Sequence, residues 1–144
     1  MPTAKGWSAA DIKRLTGPAA TGPWLTLTVV VPVATRGSLN SREHWAARAR
    51  RVKREREVVR NFLWSAAESA PWGLRGRKTR VTLTRVNGGK MDDDNLPGAL
   101  KGVRDEVASG WFKWDDADPR FEWVYAQEPG RGPAAVRITF EVGV

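Results

Sequence analysis

Cysteine is absent from this chain, and histidine occurs once, at His44. The first absence excludes disulfides, thiolate metal centres and cysteine nucleophiles, and it suits a cytoplasmic protein. The second argues against a histidine-rich zinc site and against a Ser-His-Asp triad. Long apolar runs are also missing, and nothing approaches the roughly 20 residues that a membrane span needs. The opening MPTAKGWSAADIKRLTG lacks the apolar stretch of a secretory signal. Acidic residues are the scarce charge, 16 against 24 Lys and Arg, which leaves a net charge of +8.

What remains is a 144-residue chain, 41% hydrophobic and 28% charged, a balance that fits one compact domain with a single sizeable core. Its charges are segregated. Fourteen of the 24 Lys and Arg residues fall between Arg42 and Lys90, and nine of the 16 acids fall between Asp92 and Glu122. A basic body with one acidic insert suggests a polyphosphate partner such as nucleic acid; a solvated helix face is the plainer alternative.

Residues 1–23 read as an N-terminal arm, and 24–144 as the body. In the arm, Ser8 and Asp11 form a capping box for a short helix that stops at Gly17, and Gly17, Pro18, Gly22 and Pro23 make a linker. The body opens with a strand, in which Leu25, Leu27, Val29, Val31 and Val33 alternate. Ser38 or Asn40 then caps a helix running from Ser41 to about Ala67, with Trp45, Ala49, Val52, Val59, Leu63 and Ala66 as one apolar stripe. Arg56 falls on that stripe, where its stem can pack while its guanidinium snorkels outward. His44 reads as a residue of the helix start. TRVTLTRV, residues 79–86, is a second strand. Leu96, Leu100, Val103 and Val107 follow helical spacing, and Pro97 fixes that helix start near Asn95. Gly98 and Gly102 weaken it by roughly 1 kcal/mol each. Trp111 and Trp114 read as core or interface anchors, and strands follow at Phe121–Tyr125 and Ala134–Val142. The order β, long α, β, short α, β, β predicts an α/β fold. It is a single small domain with a mixed sheet of about four strands, one long basic helix and one short helix.

The chemistry concentrates in MDDDNLPGALKG, residues 91–102. In an extended segment Asp92 and Asp94 point to one side and Asp93 to the other. Two carboxylates on one side repel unless a cation sits between them, and all-oxygen ligands select a hard ion such as Mg²⁺ or Mn²⁺. A second cluster, Asp115, Asp116 and Asp118, follows the short helix, and a hairpin-like excursion would bring the two together. The plain alternatives are that Asp94 caps the helix and that Asp115-Asp116 is a solvated turn. An EF-hand is excluded, because a loop starting at Asp92 would put Pro97 at the glycine position and Val103 at the closing glutamate. A P-loop is absent, so no nucleotide cofactor is expected.

The pattern Asp92-x-Asp94-Asn95-Leu96, a helix with Lys101, then Asp115-Asp116 resembles the RusA family of Holliday junction resolvases, endodeoxyribonucleases of phages and prophages. The likeness covers about residues 25–144, including the LNSREHWA segment that opens the long basic helix. It implies a homodimer in the bacterial cytoplasm that uses Mg²⁺, or Mn²⁺, to cut four-way and other branched DNA by paired nicks. It also implies that Asp92, Asp94 and Asp116 hold the metal. Lys101, preferred to Arg104 because one inserted helical turn keeps the same face, becomes the catalytic lysine. Arg48, Arg50, Arg51, Lys53 and Arg54 of the long helix, with Arg75, Arg77 and Lys78, would grip flanking phosphates. A branched-DNA-binding protein of the same fold that does not cut is the competing reading, and a basic RNA-binding or ribosome-associated protein is a third.

Overall fold

The computed structural model describes residues 2–3, 7–15, 17–21, 24–35, 44–67 and 78–143. In the arm, β1 (Pro2–Thr3) pairs with β2 (Trp7–Ser8), and α1 (Ala9–Leu15) follows. The Asp11 amide donates to Ser8 Oγ at 3.0 Å, the bond a capping box requires. The next segment departs from expectation. Residues 17–21, read as linker, form β3 (Gly17–Thr21), which pairs antiparallel with β4 (Trp24–Val31). Pro18 is tolerated there because β3 is the sheet's edge, where a missing N–H breaks no ladder.

After β4 come α2 (Trp45–Ala67), β5 (Thr79–Val86), a 3₁₀ turn (Asp93–Asn95), α3 (Leu96–Ala99), α4 (Lys101–Asp105), a π-helical stretch (Glu106–Phe112), β6 (Phe121–Glu128) and β7 (Ala135–Gly143). The sheet order is β3-β4-β7-β5-β6, so the expected four strands gain a fifth from the arm. All neighbours are antiparallel except β5 and β6, which run parallel. A parallel pair needs a crossover, and the α3–α4–π segment supplies it.

Alternation decides what is buried. Leu27, Val29 and Val31 of β4, Val81 and Leu83 of β5, and Val136, Ile138, Phe140 and Val142 of β7 share one core. Val59, Leu63 and Ala66 of α2 cover them together with Leu100, Val103, Val107, Trp111 and Phe112 of the crossover. Trp111 and Phe112 are therefore core residues. The stripe on α2 holds only in its C-terminal half, since Trp45 is 76% exposed and Ala49 is also exposed. The helix is described from Trp45, where His44 Nδ1 accepts the Ala46 amide at 3.2 Å and serves the helix start. Gly102 has a packing role that its low helix propensity hides. A Cβ there would lie 3.3 Å from Val52 Cγ1 and 3.4 Å from Glu55 Oε2, so glycine lets α4 approach α2 closely. Among the described residues no helix is long and apolar enough to cross a membrane.

Candidate functional site at the end of the sheet

Strands β4 and β5 end beside the start of β7, with Val31 opposite Val136 and Val86 opposite Ala135, and β6 ends beside β5. The segments that follow β4, β5 and β6 therefore leave from one end of the sheet, the end where open α/β folds commonly bind ligands. The acidic motif leaves β5 there, and three side chains hold the backbone in front of it. Gln127 of β6 accepts the Met91 amide at 3.1 Å and donates to the Met91 carbonyl at 2.7 Å, as a further ladder rung would. Asn87, in the left-handed region at φ 58°, donates to the Pro133 carbonyl at 2.9 Å. Arg85, buried at 9% exposure, donates to the carbonyls of Thr35 (3.2 Å), Gly88 (2.7 Å) and Gly89 (2.5 Å). Gly88 lets the guanidinium lie against the loop, since a Cβ there would sit 2.8 Å from its carbon and push it aside.

The extended conformation persists only through Asp92 (φ −64°, ψ 141°), after which Asp93–Asn95 wind into the 3₁₀ turn. The alternation expected of the three acids is thus cut short by helix initiation. Asp93 accepts a bond from Gln127 at 3.1 Å. Asp92 and Asp94 are exposed, and among the described residues their side chains make no hydrogen bond or ion pair. Asp94 is not the cap that the plain alternative required. Asn95 stands at the N-cap of α3, and neither it nor Asp92 makes a side-chain capping bond.

Other acids of the molecule are paired, though Glu57 and Glu141 share with Asp92 and Asp94 the lack of an ion pair among the described residues. Glu55, Asp105, Glu106, Asp116, Asp118, Glu122 and Glu128 all form ion pairs with Arg or Lys. In a chain with cations in excess, Asp92 and Asp94 are left without one.

The second acidic cluster is held by partners of its own. A parallel β5–β6 pair forces the crossover to return the chain to the opposite end of the sheet, so the expected hairpin-like excursion is replaced by a traverse. Asp93 is anchored on Gln127, whereas the Asp116 carbonyl accepts from Trp123 Nε1 at 2.8 Å. Those anchors stand four residues apart on β6, and Arg104, which pairs with Asp116, also reaches Tyr125, two residues before Gln127. Among the described residues no three acidic or histidine side chains come together as a metal-binding group. Asp116 is instead tied to Arg104, whose Nε lies 3.1 Å from Oδ2, close enough for an ion pair though off the line of a hydrogen bond. Arg104 also donates to the Asp116 carbonyl (3.2 Å) and to the Tyr125 hydroxyl (2.5 Å), and it stacks over Trp123. Lys101 lies at the surface, 68% exposed, with Nζ 3.4 Å from Asp105.

Asp115 and Asp118 shape the turn around Asp116. Asp115 Oδ1 accepts the Ala117 amide at 2.8 Å, and Asp118 accepts the Arg120 amide at 2.9 Å. Asp118 also accepts two hydrogen bonds from the Arg120 guanidinium, which hold its carboxyl down at about pKa 2.

The cations of the basic helix differ in exposure. Arg50, Lys53 and Arg54 are exposed, Arg48 is half-buried, and Lys78 is exposed ahead of β5. Arg51 is 13% exposed and bonded to buried Glu55 at 3.1 Å. Arg75 and Arg77 lie outside the described residues. Trp45, Arg48, Val52, Lys53, Arg56 and Arg60 line a groove of about 620 Å³ along α2. Arg56 does not snorkel to water alone. Its Nε donates at 3.2 Å to Glu106, 1% exposed, which also accepts from Arg60 at 3.1 and 3.2 Å. The bond to Glu106 raises the Arg60 pKa above its ordinary value.

Gln127, Arg85 and Glu106 carry much of the local order, and the sequence reading missed all three. Each had a signal, being a polar residue in phase with an apolar series. Gln127 continues Phe121, Trp123 and Tyr125; Arg85 continues Val81 and Leu83; Glu106 adjoins Val103 and Val107 on one helix face. No family model matches the chain, and no curated protein is similar enough to match it.

Proposed function

We propose that the chain is a divalent-cation-dependent endodeoxyribonuclease of the RusA type, cutting four-way and other branched DNA as a homodimer. The observation that carries this reading is the pair Asp92 and Asp94, exposed and unpaired in a protein of net charge +8. Leaving two neighbouring carboxylates without a cation suits a site that takes one from solution. Their chemistry fits Mg²⁺ or Mn²⁺, since Mg²⁺ commonly rests on one or two carboxylates plus substrate phosphates and water. A third protein ligand is not needed for that mode, and Asp116 pairs with Arg104 through Oδ2 alone. When bound, such an ion supplies Lewis-acid polarisation of a phosphoryl oxygen and a nucleophilic water at neutral pH.

The remaining work belongs to side chains. Gln127, Asn87 and Arg85 fix the backbone that presents Asp92. Among the described residues Lys101 is held by one exposed i,i+4 pair, an interaction weak enough to release it to a phosphate. Arg50, Lys53 and Arg54 offer phosphate contacts that carry no sequence information, as a structure-selective enzyme requires.

A branched-DNA-binding protein that does not cut is the second reading, and the Arg104–Asp116 ion pair favours it, because it withholds the third acid. End-labelled four-way junctions incubated with Mg²⁺, Mn²⁺ or EDTA separate the two. Paired nicks that vanish in EDTA and in Asp94→Asn, with junction affinity retained, support the nuclease. Tight binding without cleavage under any divalent ion supports the second reading and removes the first.

A further inference from the structure

Beside the acidic loop, on the same end of the sheet, Arg85 and Thr35 share a small cavity of about 180 Å³, walled by Val33, Val86, Ala134 and Ala135. Both polar residues are buried, at 9% and 4% exposure. Among the described residues Arg85 meets no carboxylate; each of its partners is a backbone carbonyl. Burial lowers its pKa. Thr35 Oγ1 is a buried hydroxyl with no hydrogen-bond partner among the described residues. An uncompensated guanidinium and an idle hydroxyl on one cavity are both costly in isolation, and one anion relieves both. Three of the five guanidinium N–H groups are engaged by carbonyls, which leaves two to donate.

We propose that this cavity is an oxyanion subsite that takes one phosphate group, held by the free N–H groups of Arg85 and the Thr35 hydroxyl. Arginine suits a phosphate because its planar fork meets two oxygens at once. The cavity has the room of about six waters at roughly 30 Å³ each, enough for a tetrahedral oxyanion with part of its ester. The phosphate belongs to a DNA strand, an assignment that rests on the nuclease reading. Arg85 holds the carbonyls of Gly88 and Gly89, four and three residues before Asp92, so the subsite and the acidic motif share one segment. A strand anchored in this cavity would leave a neighbouring phosphate for Asp92 and Asp94.

The test uses inorganic phosphate, titrated against chloride at matched ionic strength, with thermal unfolding as the readout. The wild-type chain should gain Tm along a saturable curve. Thr35→Val keeps the shape and removes the hydroxyl. Without phosphate it should unfold no earlier than wild type, because an unpartnered polar group is lost. With phosphate, its binding should weaken about tenfold, the value of one hydrogen bond to a charged partner. Ala134→Leu fills the cavity, leaves Arg85 and Thr35 intact, and should abolish the effect. A wild-type chain without a phosphate-dependent shift, or variants that keep the full shift, would overturn the subsite. Junction affinity identifies the source. A matching loss of affinity in Thr35→Val supports the DNA strand, and unchanged affinity with the phosphate effect lost assigns the cavity to free phosphate. A junction left uncut while the phosphate effect persists removes the nuclease and keeps the subsite.

Discussion

Replacing Glu106 by glutamine removes one charge at the point where the crossover is fastened to α2. The carboxylate is 1% exposed and accepts bonds at 3.2 Å from Arg56 and at 3.1 and 3.2 Å from Arg60. Hydrogen bonds to a charged group contribute about 1.5–3 kcal/mol each, so outright loss of all three would reach roughly 5–9 kcal/mol. Two features reduce that ceiling. The glutamine oxygen still accepts, and the side chains of Arg56 and Arg60 are 36% and 51% exposed, so water recovers part of what they lose. A cost of about 3 kcal/mol results, the lower edge of the range for breaking a buried pair. For a chain of this size that lowers Tm by about 9 °C. Urea unfolding should show the same loss as a lower midpoint with an unchanged slope. Calorimetry beside Arg60→Gln, which leaves the Arg56 bond in place and should cost less, gives the control. A Tm loss below about 3 °C for Glu106→Gln would refute the clamp.

The other expectations concern the acidic turns and the basic face. Asp118 has a folded pKa near 2, below its ordinary value of 3.8, so its contribution is complete above pH 4 and is lost as pH falls towards 2. Asp118→Asn should therefore flatten the fall of Tm across that window and leave the profile above pH 5 parallel to wild type. Gln127→Met removes both bonds to Met91 and the contact with Asp93, which should cost about 1–2 kcal/mol and speed amide exchange at Met91. Arg104→Lys keeps the charge but loses the fork that spans Asp116 and Tyr125. A cost of about 2 kcal/mol and a changed Trp123 environment in fluorescence are expected. Neutralising Arg50, Lys53 and Arg54 together should flatten the salt dependence of DNA binding by about three phosphate contacts, whereas Arg51→Gln, already engaged with Glu55, should change it little.

Strands and helices were legible because alternation and helical spacing are local properties of the chain. TRVTLTRV became β5 without a shift, and the order of elements in the body followed the reading. Pairing direction was not legible. Nothing within residues 79–86 or 121–128 states that these strands run parallel, yet that one fact decides where the crossover returns the chain to begin β6. The short crossover helix suggested a hairpin-like excursion only when read without its partner strand. The capping question had a similar limit, since Asp92, Asp94 and Asn95 all suit a cap by type, and the turn that precedes α3 decided it. Arg56, a cation in an apolar stripe, was noticed but given the solvent as its destination. Its acid lay 50 residues away on an element whose own stripe also contained one misplaced charge.

The wide winding of residues 106–112 bears on which changes in length the chain can absorb. Neighbours in an ordinary helix point about 100° apart, so one of two consecutive aromatics usually faces away from the core. Here Trp111 and Phe112 are 7% and 3% exposed, with their rings packed edge to face at 5.2 Å. A π-helical turn holds one residue more than an α-helical turn, as though a residue had been inserted and accommodated. Removing exposed Ser109 would return this stretch towards regular winding and leave both flanks in phase. The same deletion within α2 would rotate every later side chain out of register. Loss of a single residue is therefore easier to absorb at the end of the crossover, behind the acidic loop, than along the helix that carries the basic face.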